Sequence, residues 1–195
     1  MAKSTWKDFR QALQFSLFFV GLLCLTFALD ILLRSHNPSY NLSTFGILPR
    51  SAWGLLGILF NPLLHGNLAH LLANSVPLLV LLTLLFWDRK YHPGTTLTVI
   101  WIVSGLGTWL IGRNESGGQP VIHIGASSLI YGIVAYLIAA AFWMQRWRSA
   151  FIALLVFLLY GGIFFGALPQ QGQISWEGHL AGMIAGIWCA LRLHS

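Results

Sequence analysis

The sequence predicts an all-α membrane protein, built as a bundle of six transmembrane helices. Of its 195 residues, 56% are hydrophobic and only 8% are charged, against roughly 25% charged residues in an average soluble domain. Six apolar runs are long enough, or nearly so, to cross a hydrocarbon core of about 30 Å, which takes about 20 helical residues. We therefore expect a chain that crosses a lipid bilayer several times.

The apolar runs are separated by segments rich in turn-forming residues, and we expect one six-span domain over residues 12-193. Residues 1-11 are expected to form a cytoplasmic N-terminal segment. The first run is longer than the core of a signal peptide and lacks an A-x-A-like cleavage site, which predicts a retained span. The spans are placed at residues 12-33, 68-87, 95-112, 125-144, 149-168 and 178-193.

Lysine and arginine residues are distributed unevenly between the two sides of the predicted bundle. The side of the N-terminus carries eight, namely Lys3, Lys7, Arg10, Arg89, Lys90, Arg146, Arg148 and Arg192, and the opposite side carries Arg34, Arg50 and Arg113. Because cytoplasmic loops are enriched in these residues, the N-terminus is expected in the cytoplasm. The six-span size and the lack of organelle targeting signals favour a prokaryotic inner membrane.

The charge and the cysteines exclude several classes of partner and cofactor. A net charge of +6 is compatible with nucleic-acid binding, but the basic residues are scattered between apolar runs, so no nucleic-acid partner is expected. Cys24 and Cys189 lie inside apolar runs, which indicates neither a disulfide framework nor a thiolate metal site. No cofactor is predicted, and the lipid bilayer is the expected environment.

The loop over residues 34-67 is too long for a plain connector and contains many apolar side chains. Two interpretations fit this composition equally well. The loop forms an amphipathic segment in the outer interface of the membrane, or it forms an ordinary helical lid that packs on the bundle.

Three polar clusters interrupt the apolar runs, where a charge costs roughly 2.5 to 3.5 kcal/mol. The first contains His65, His70 and Asn74. His70 and Asn74 are four residues apart, so they share a helix face and can direct two hydrogen-bond donors at one point. Hydrogen bonding between helices is the structural alternative, and the lack of an H-E-x-x-H pattern argues against zinc.

The second cluster begins predicted span four with Gly125, Ser127 and Ser128. Pro120 and the residues after it indicate a non-helical approach, which becomes helical near Gly125. A serine here lies at a helix N-terminus, where free N–H groups and the helix dipole favour a developing anion. Serine is also common at this position as a simple helix cap, and the two serines leave the choice of functional residue open.

The third cluster begins predicted span six, where His179 stands beside a stripe of small residues. The stripe consists of Gly178, Gly182 and Gly186, and span four offers a complementary stripe of Ser128, Gly132, Ala135 and Ala139. Such stripes let two helices approach closely, so we expect spans four and six to pack together. That packing brings His179 near Ser127.

A serine within hydrogen-bond reach of a histidine is the arrangement of a nucleophile and its general base. In that case His70 and Asn74 are candidate oxyanion donors. His123, four residues before Ser127, is a rival base. Glu177 is close to His179 in sequence, but residues two apart on a helix do not share a face, so a dyad is predicted rather than a triad.

The chain resembles the rhomboid intramembrane proteases over about residues 45-190. Three family motifs occur in order: H-x4-H-x3-N at His65, His70 and Asn74; G-x-S with a tyrosine four residues later at Gly125, Ser127 and Tyr131; and G-H-x-x-G-x-x-x-G at Gly178, His179, Gly182 and Gly186. The resemblance implies a rhomboid-type bundle that cleaves transmembrane or juxtamembrane segments of membrane proteins.

The resemblance also implies a role for each matching residue. Ser127 corresponds to the nucleophile and His179 to the general base, with Asn74 and His70 as the oxyanion donors. Tyr131 is expected to pack beneath the ring of His179. Of the two serines, the resemblance therefore favours Ser127.

The sequence departs from the family pattern at two places. Ser128 replaces the usual glycine after the nucleophile, which predicts looser packing or a hydroxyl bonded to a nearby carbonyl. The Trp-Arg motif of the first loop is absent.

Two other functions are considered for this chain. The alternatives are a catalytically inactive rhomboid relative that binds membrane clients, and a small transporter or channel. The second needs intramembrane charges, and Asp30 is expected instead to pair with Arg34.

Overall fold

A computed structural model describes residues 5–169 and 174–194 of the chain. Within these residues, seven α-helices and one two-stranded hairpin account for most of the fold. The helices are α1 (Trp6–His36), α2 (Ala52–Phe60), α3 (Leu68–Trp87), α4 (Pro93–Ile111), α5 (Ser127–Met144), α6 (Trp147–Tyr160) and α7 (Trp176–His194), and the strands are β1 (Glu115–Ser116) and β2 (Gln119–Pro120). The predicted all-α membrane class is confirmed.

Five of the described helical stretches are long and apolar enough to cross a membrane. They are Trp6–His36, Leu68–Trp87, Arg89–Ile111, Ser127–Met144 and Trp147–Ala167. The third stretch includes a 3₁₀ turn before α4, and the fifth includes the 3₁₀ segment Gly161–Ala167 after α6. These five correspond in order to the first five predicted spans.

The sixth predicted span is α7, which differs in character from the other five. One face carries the buried residues Glu177, Gly178, His179, Gly182 and Gly186, and the helix packs against both α5 and α4. Because this face contacts protein rather than lipid, it tolerates small and polar residues.

Helix α1 begins six residues before the predicted span, at Trp6. A capping box starts it: the hydroxyl of Thr5 accepts the N–H of Asp8 at 3.3 Å, and the carboxylate of Asp8 accepts the N–H of Thr5 at 2.6 Å. Such a cap satisfies free N–H groups of the first turn, so the helix extends into polar sequence. Residues 6–11, predicted as part of a separate N-terminal segment, are therefore helical.

Helices α5 and α7 approach each other along the two predicted stripes of small residues. A Cβ atom added at Gly182 would overlap the carbonyl oxygen of Ser128, and one added at Gly186 would overlap that of Gly132. The backbones are therefore in direct contact, as the spacing of the stripes predicts. This contact fixes the lateral position of α7 beside the start of α5.

The first loop forms a helix that packs on the bundle, as one of the two interpretations predicts. The indole N–H of Trp101 donates to the carbonyl of Ile58 in α2, and that of Trp109 donates to the carbonyl of Ser51, each at 2.8 Å. The guanidinium of Arg50 donates to the carbonyls of Leu110 and Gly112 at the end of α4. The opposite face of α2 exposes apolar side chains, among them Trp53, Leu55, Leu56 and Leu59.

The buried Asp30 pairs with Arg34, one helical turn later, as predicted. Its carboxylate also accepts the backbone N–H of Leu42 at 2.7 Å. Asp30 thus has partners in α1 and in the first loop.

Candidate active site

Ser127 is the first residue of α5, and the chain before it is non-helical, as predicted. The N–H groups of a first helical turn have no partner within the helix, so they point toward the space in front of Ser127. Gly125 has a φ of +110°, and a Cβ there would also meet the imidazole of His70. Its N–H donates to the carbonyl of Asn61 at 2.9 Å, which fixes the turn before the helix.

The two neighbouring serines occupy different surroundings. Ser127 is partly exposed and its hydroxyl contacts His179. Ser128 is 5% exposed and lies against α7, and its hydroxyl has no hydrogen-bond partner among the described residues. The packing between the helices is therefore close despite the extra hydroxymethyl group. Both expectations for Ser128, looser packing and a bonded hydroxyl, are wrong.

His179 is held on three sides within the bundle. Its Nε2 lies 3.0 Å from the hydroxyl oxygen of Ser127, and its Nδ1 lies 2.8 Å from the carbonyl oxygen of Gly166. The ring of Tyr131 stacks on the imidazole at 3.9 Å with an angle of 13° between the planes. Because a carbonyl only accepts, Nδ1 carries the proton, and Nε2 is free to accept from Ser127.

The carbonyl of Gly166 is a contributor that the sequence analysis did not identify. It belongs to the 3₁₀ segment Gly161–Ala167, which continues α6 toward α7. A Cβ at Gly166 would overlap the hydroxyl of Tyr131, so a larger residue there would displace the ring that stacks on His179. Three glycines near the end of an otherwise apolar span distinguish this segment in the sequence, but they do not indicate which carbonyl contacts His179.

His70 and Asn74 lie one helical turn apart on α3, and the ring of His70 packs against Gly125. The side chain of Asn67 caps this helix by accepting the N–H of His70 at 2.8 Å. Asn74 is buried, and its amide donates one hydrogen to the carbonyl of His70 at 2.8 Å. The second amide hydrogen of Asn74 remains available as a donor.

His65, the third residue of this motif, lies behind His70. The two rings meet edge to face, with centroids 5.0 Å apart. Burial, with a smaller contribution from the neighbouring His70, lowers the pKa of His65 to about 4. His65 is therefore a neutral packing partner of His70 at physiological pH.

The rival base His123 is engaged on both ring nitrogens away from Ser127. Its Nδ1 lies 2.5 Å from the hydroxyl of Ser175, and its Nε2 lies 2.9 Å from the carbonyl of Arg113. Burial also lowers the pKa of His123. The histidine in contact with Ser127 is His179.

Glu177 pairs with Arg113 rather than with His179. The Nδ1–H group of His179, which would donate to the acid of a catalytic triad, donates instead to the carbonyl of Gly166. One carboxylate oxygen of Glu177 lies 3.3 Å from Nε of Arg113 and 3.2 Å from its backbone nitrogen. The pairing agrees with the prediction that Glu177 and His179 do not share a helix face. The orienting group of His179 is thus a backbone carbonyl.

The chain is similar to known proteins over most of its length. The family model of the Rhomboid domain matches residues 50–195. An uncharacterized protein of Mycobacterium tuberculosis is 43% identical over 178 residues, which cover 90% of this chain and 72% of the relative. An uncharacterized protein of Mycobacterium leprae is 38% identical over 178 residues, which cover 90% of this chain and 68% of that relative.

A third relative carries a family name. It is a protein of Acanthamoeba polyphaga mimivirus that is named as a rhomboid protein, and it is 32% identical over 137 residues, covering 68% of this chain and 71% of its own. No solved structure matches the chain at a significant level. The match to the domain covers well over half of the chain, so this integral membrane protein belongs to the rhomboid family.

Proposed function

We propose that this chain is an intramembrane serine endopeptidase that uses Ser127 as nucleophile and His179 as general base. The observation that carries the proposal is the 3.0 Å separation of the Ser127 hydroxyl from Nε2 of His179, while Nδ1 is held by the carbonyl of Gly166. A base whose tautomer is fixed by a third group is the arrangement by which serine is activated in hydrolases.

The sequence of proton transfers in the proposed reaction follows from the positions of the protons on the Ser127 hydroxyl and on Nδ1 of His179. The hydroxyl oxygen of Ser127 attacks the carbonyl carbon of a peptide bond as Nε2 of His179 takes the hydroxyl proton. The protonated ring returns this proton to the leaving amine nitrogen, and an acyl group remains on the serine oxygen. Water then attacks the acyl carbon, its proton passing through His179, and both Ser127 and the new carboxyl end are released.

The oxyanion of each tetrahedral intermediate is proposed to bind at the α3 side of the site. The donors are the free amide hydrogen of Asn74, the ring of His70 and the N–H groups of the first turn of α5. The close packing of the His70 ring on Gly125, two residues before Ser127, supports this assignment.

The proposed substrates are transmembrane or juxtamembrane segments of other membrane proteins. The support is the position of Ser127 at the start of α5, one of five helical stretches apolar enough to lie in a bilayer, with His179 on α7, which packs against α5 and α4. A substrate segment that reaches Ser127 must be locally unfolded, because the peptide carbonyls of a helical segment are engaged in backbone hydrogen bonds.

The proposal is tested by reaction of the purified protein in detergent with a fluorophosphonate, which phosphonylates activated serines. We expect labelling of the wild type and of Ser128→Ala, no labelling of Ser127→Ala, and a rate at least about 10²-fold lower in His179→Ala. A His123→Ala variant should keep a higher rate than His179→Ala. Folded wild-type protein that does not react would favour the inactive relative that binds membrane clients.

We further propose that the chain lies in a prokaryotic inner membrane with its N-terminus in the cytoplasm. The distribution of lysine and arginine supports this orientation. Single cysteines introduced at Asn41 and at Arg146 in a background lacking Cys24 and Cys189 test it. In intact cells, a membrane-impermeant thiol reagent should label the cysteine at position 41 alone; labelling at position 146 alone would reverse the topology.

A further inference from the structure

An ion pair between the buried Glu177 and the partly exposed Arg113 lies at the start of α7, two residues before His179. The carboxylate of Glu177 is 2% exposed, and one of its oxygens faces both the guanidinium and the backbone N–H of Arg113, at 3.3 and 3.2 Å. The guanidinium also donates to the carbonyl of Ile174, just before the helix. Arg113 therefore contacts the first turn of α7 at Glu177 and the chain just before the helix at Ile174.

His123 extends this pair into a network that reaches the chain before α5. Its backbone N–H and carbonyl exchange hydrogen bonds of 2.9 Å with Ile47 in the first loop. Its ring joins the carbonyl of Arg113 to the hydroxyl of Ser175. The carbonyl of Ser175 in turn accepts the backbone N–H of His179 at 3.2 Å. A continuous path of contacts thus runs from the segment that leads to Ser127 to the backbone of His179.

The network supplies a constraint that the small-residue contact between α5 and α7 does not. Small residues let the two helices approach closely, but the glycines have no side chains that could form an ion pair or hydrogen bond between the helices. The contact of Glu177 with Arg113 adds an interaction between the first turn of α7 and the chain after α4, and leaving a buried carboxylate unpaired is costly. The contacts of Arg113 at the start of α7 therefore restrain the rotation of this helix about its axis, and its position along the axis, near His179.

We propose that Glu177, Arg113 and His123 are positioning residues that set the ring of His179 against the hydroxyl of Ser127. This inference rests on the proposed function, because it assigns the network to the reaction of that dyad. None of the three touches the reacting atoms. A base moved by about 1 Å can lower a reaction rate about 10²-fold, so a modest shift of α7 is sufficient.

The test measures fluorophosphonate labelling of the whole protein in detergent and separates three quantities: the inactivation rate constant kinact, the probe affinity KI, and the labelled fraction at the end point. Glu177→Gln and Arg113→Gln should each lower kinact about tenfold or more, with KI and the end point per folded protein near those of the wild type. Because the two residues contact each other, the double variant should be no slower than the slower single variant.

Asp30→Asn is the matched control. It also removes a buried carboxylate paired with an arginine, but that pair joins α1 to the first loop rather than to α7. It should lower the melting temperature while leaving kinact within about twofold of the wild type. A fall in kinact confined to the network variants separates positioning from general loss of stability.

Wild-type kinact in the folded Glu177 and Arg113 variants would overturn the inference while leaving the proposed function intact. Absence of labelling in the wild type would overturn both. If neither charge variant folds, His123→Gln decides, because it removes only hydrogen bonds of the side chain. A lowered kinact in that variant supports the network, and an unchanged kinact contradicts it.

Discussion

The imidazole of His179 is oriented by a backbone carbonyl, a ring and a hydroxyl rather than by a carboxylate. The carbonyl of Gly166 fixes the tautomer, and the ring of Tyr131 fixes the plane. A neutral carbonyl stabilises the protonated ring less than an ionised acid does, because its oxygen carries only a partial negative charge. In the proposed reaction, much of the rate enhancement therefore comes from the geometry of the site and from the oxyanion donors.

Asn74 is the residue for which the oxyanion assignment is most easily tested. Asn74→Ala removes the one proposed donor that is buried in α3, and loss of such a donor lowers the rate about 10²- to 10³-fold elsewhere. We expect a decrease of this size in the fluorophosphonate rate constant, with little change in melting temperature. Ser75→Ala is the control, since Ser75 is the buried neighbour whose hydroxyl has no partner among the described residues. Equal rates in the two variants would contradict the assignment.

His65 makes the protein sensitive to acid. Its pKa is about 4 in the folded protein and about 6.5 when exposed, so the unfolded state binds the proton more tightly. The stability from neutral His65 is fully present above pH 6.5 and is lost as the pH falls toward 4, by roughly 3 kcal/mol in all. The lowered pKa of His123 acts in the same direction.

Melting temperatures in detergent between pH 7 and pH 4 measure this effect. The wild type should become less stable throughout that range, and His65→Gln should show a clearly shallower dependence because its side chain does not titrate. Parallel curves for the two proteins would show that His65 is not the source of the acid sensitivity.

The backbone contact between α5 and α7 brings Ser127 and His179 together. Gly186→Ala places a methyl group against the carbonyl of Gly132, where there is no room. We expect a lower melting temperature, corresponding to about 1 to 3 kcal/mol, together with slower labelling. The control is Gly21→Ala in α1, where nothing lies within 4 Å of the added atom.

The control should be neutral or slightly stabilising, because alanine favours a helix more than glycine does. If Gly186→Ala were as stable and as reactive as the control, the two helices would not be in backbone contact. That result would also remove the reason for the proximity of His179 and Ser127.

Sequence patterns predicted those features of the fold that local chemistry encodes. The bounds of α3 agree with the predicted span because a capping residue, Asn67, stands directly before the apolar run. The pairing of α5 with α7 was predictable because small residues every four positions define one helix face. The start of α1 was missed because its cap lies outside the apolar run.

Other features depend on residues that are far apart in sequence. Arg113 and Glu177 are 64 positions apart, and nothing in either local sequence indicates the other. The carbonyl of Gly166 could not be assigned, since every residue has a carbonyl and only the fold selects one. The conformation of the first loop was left open because a packed helix and an interfacial helix have the same composition.

Mass spectrometry of peptides from the labelled wild-type protein identifies the phosphonylated residue and thereby tests whether Ser127 is the nucleophile. We expect one modified residue, Ser127, because its hydroxyl alone faces Nε2 of His179 among the contacts of the described residues. Modification of the adjacent Ser128, or of Ser175 beside His123, would contradict the assignment of the nucleophile and of its base.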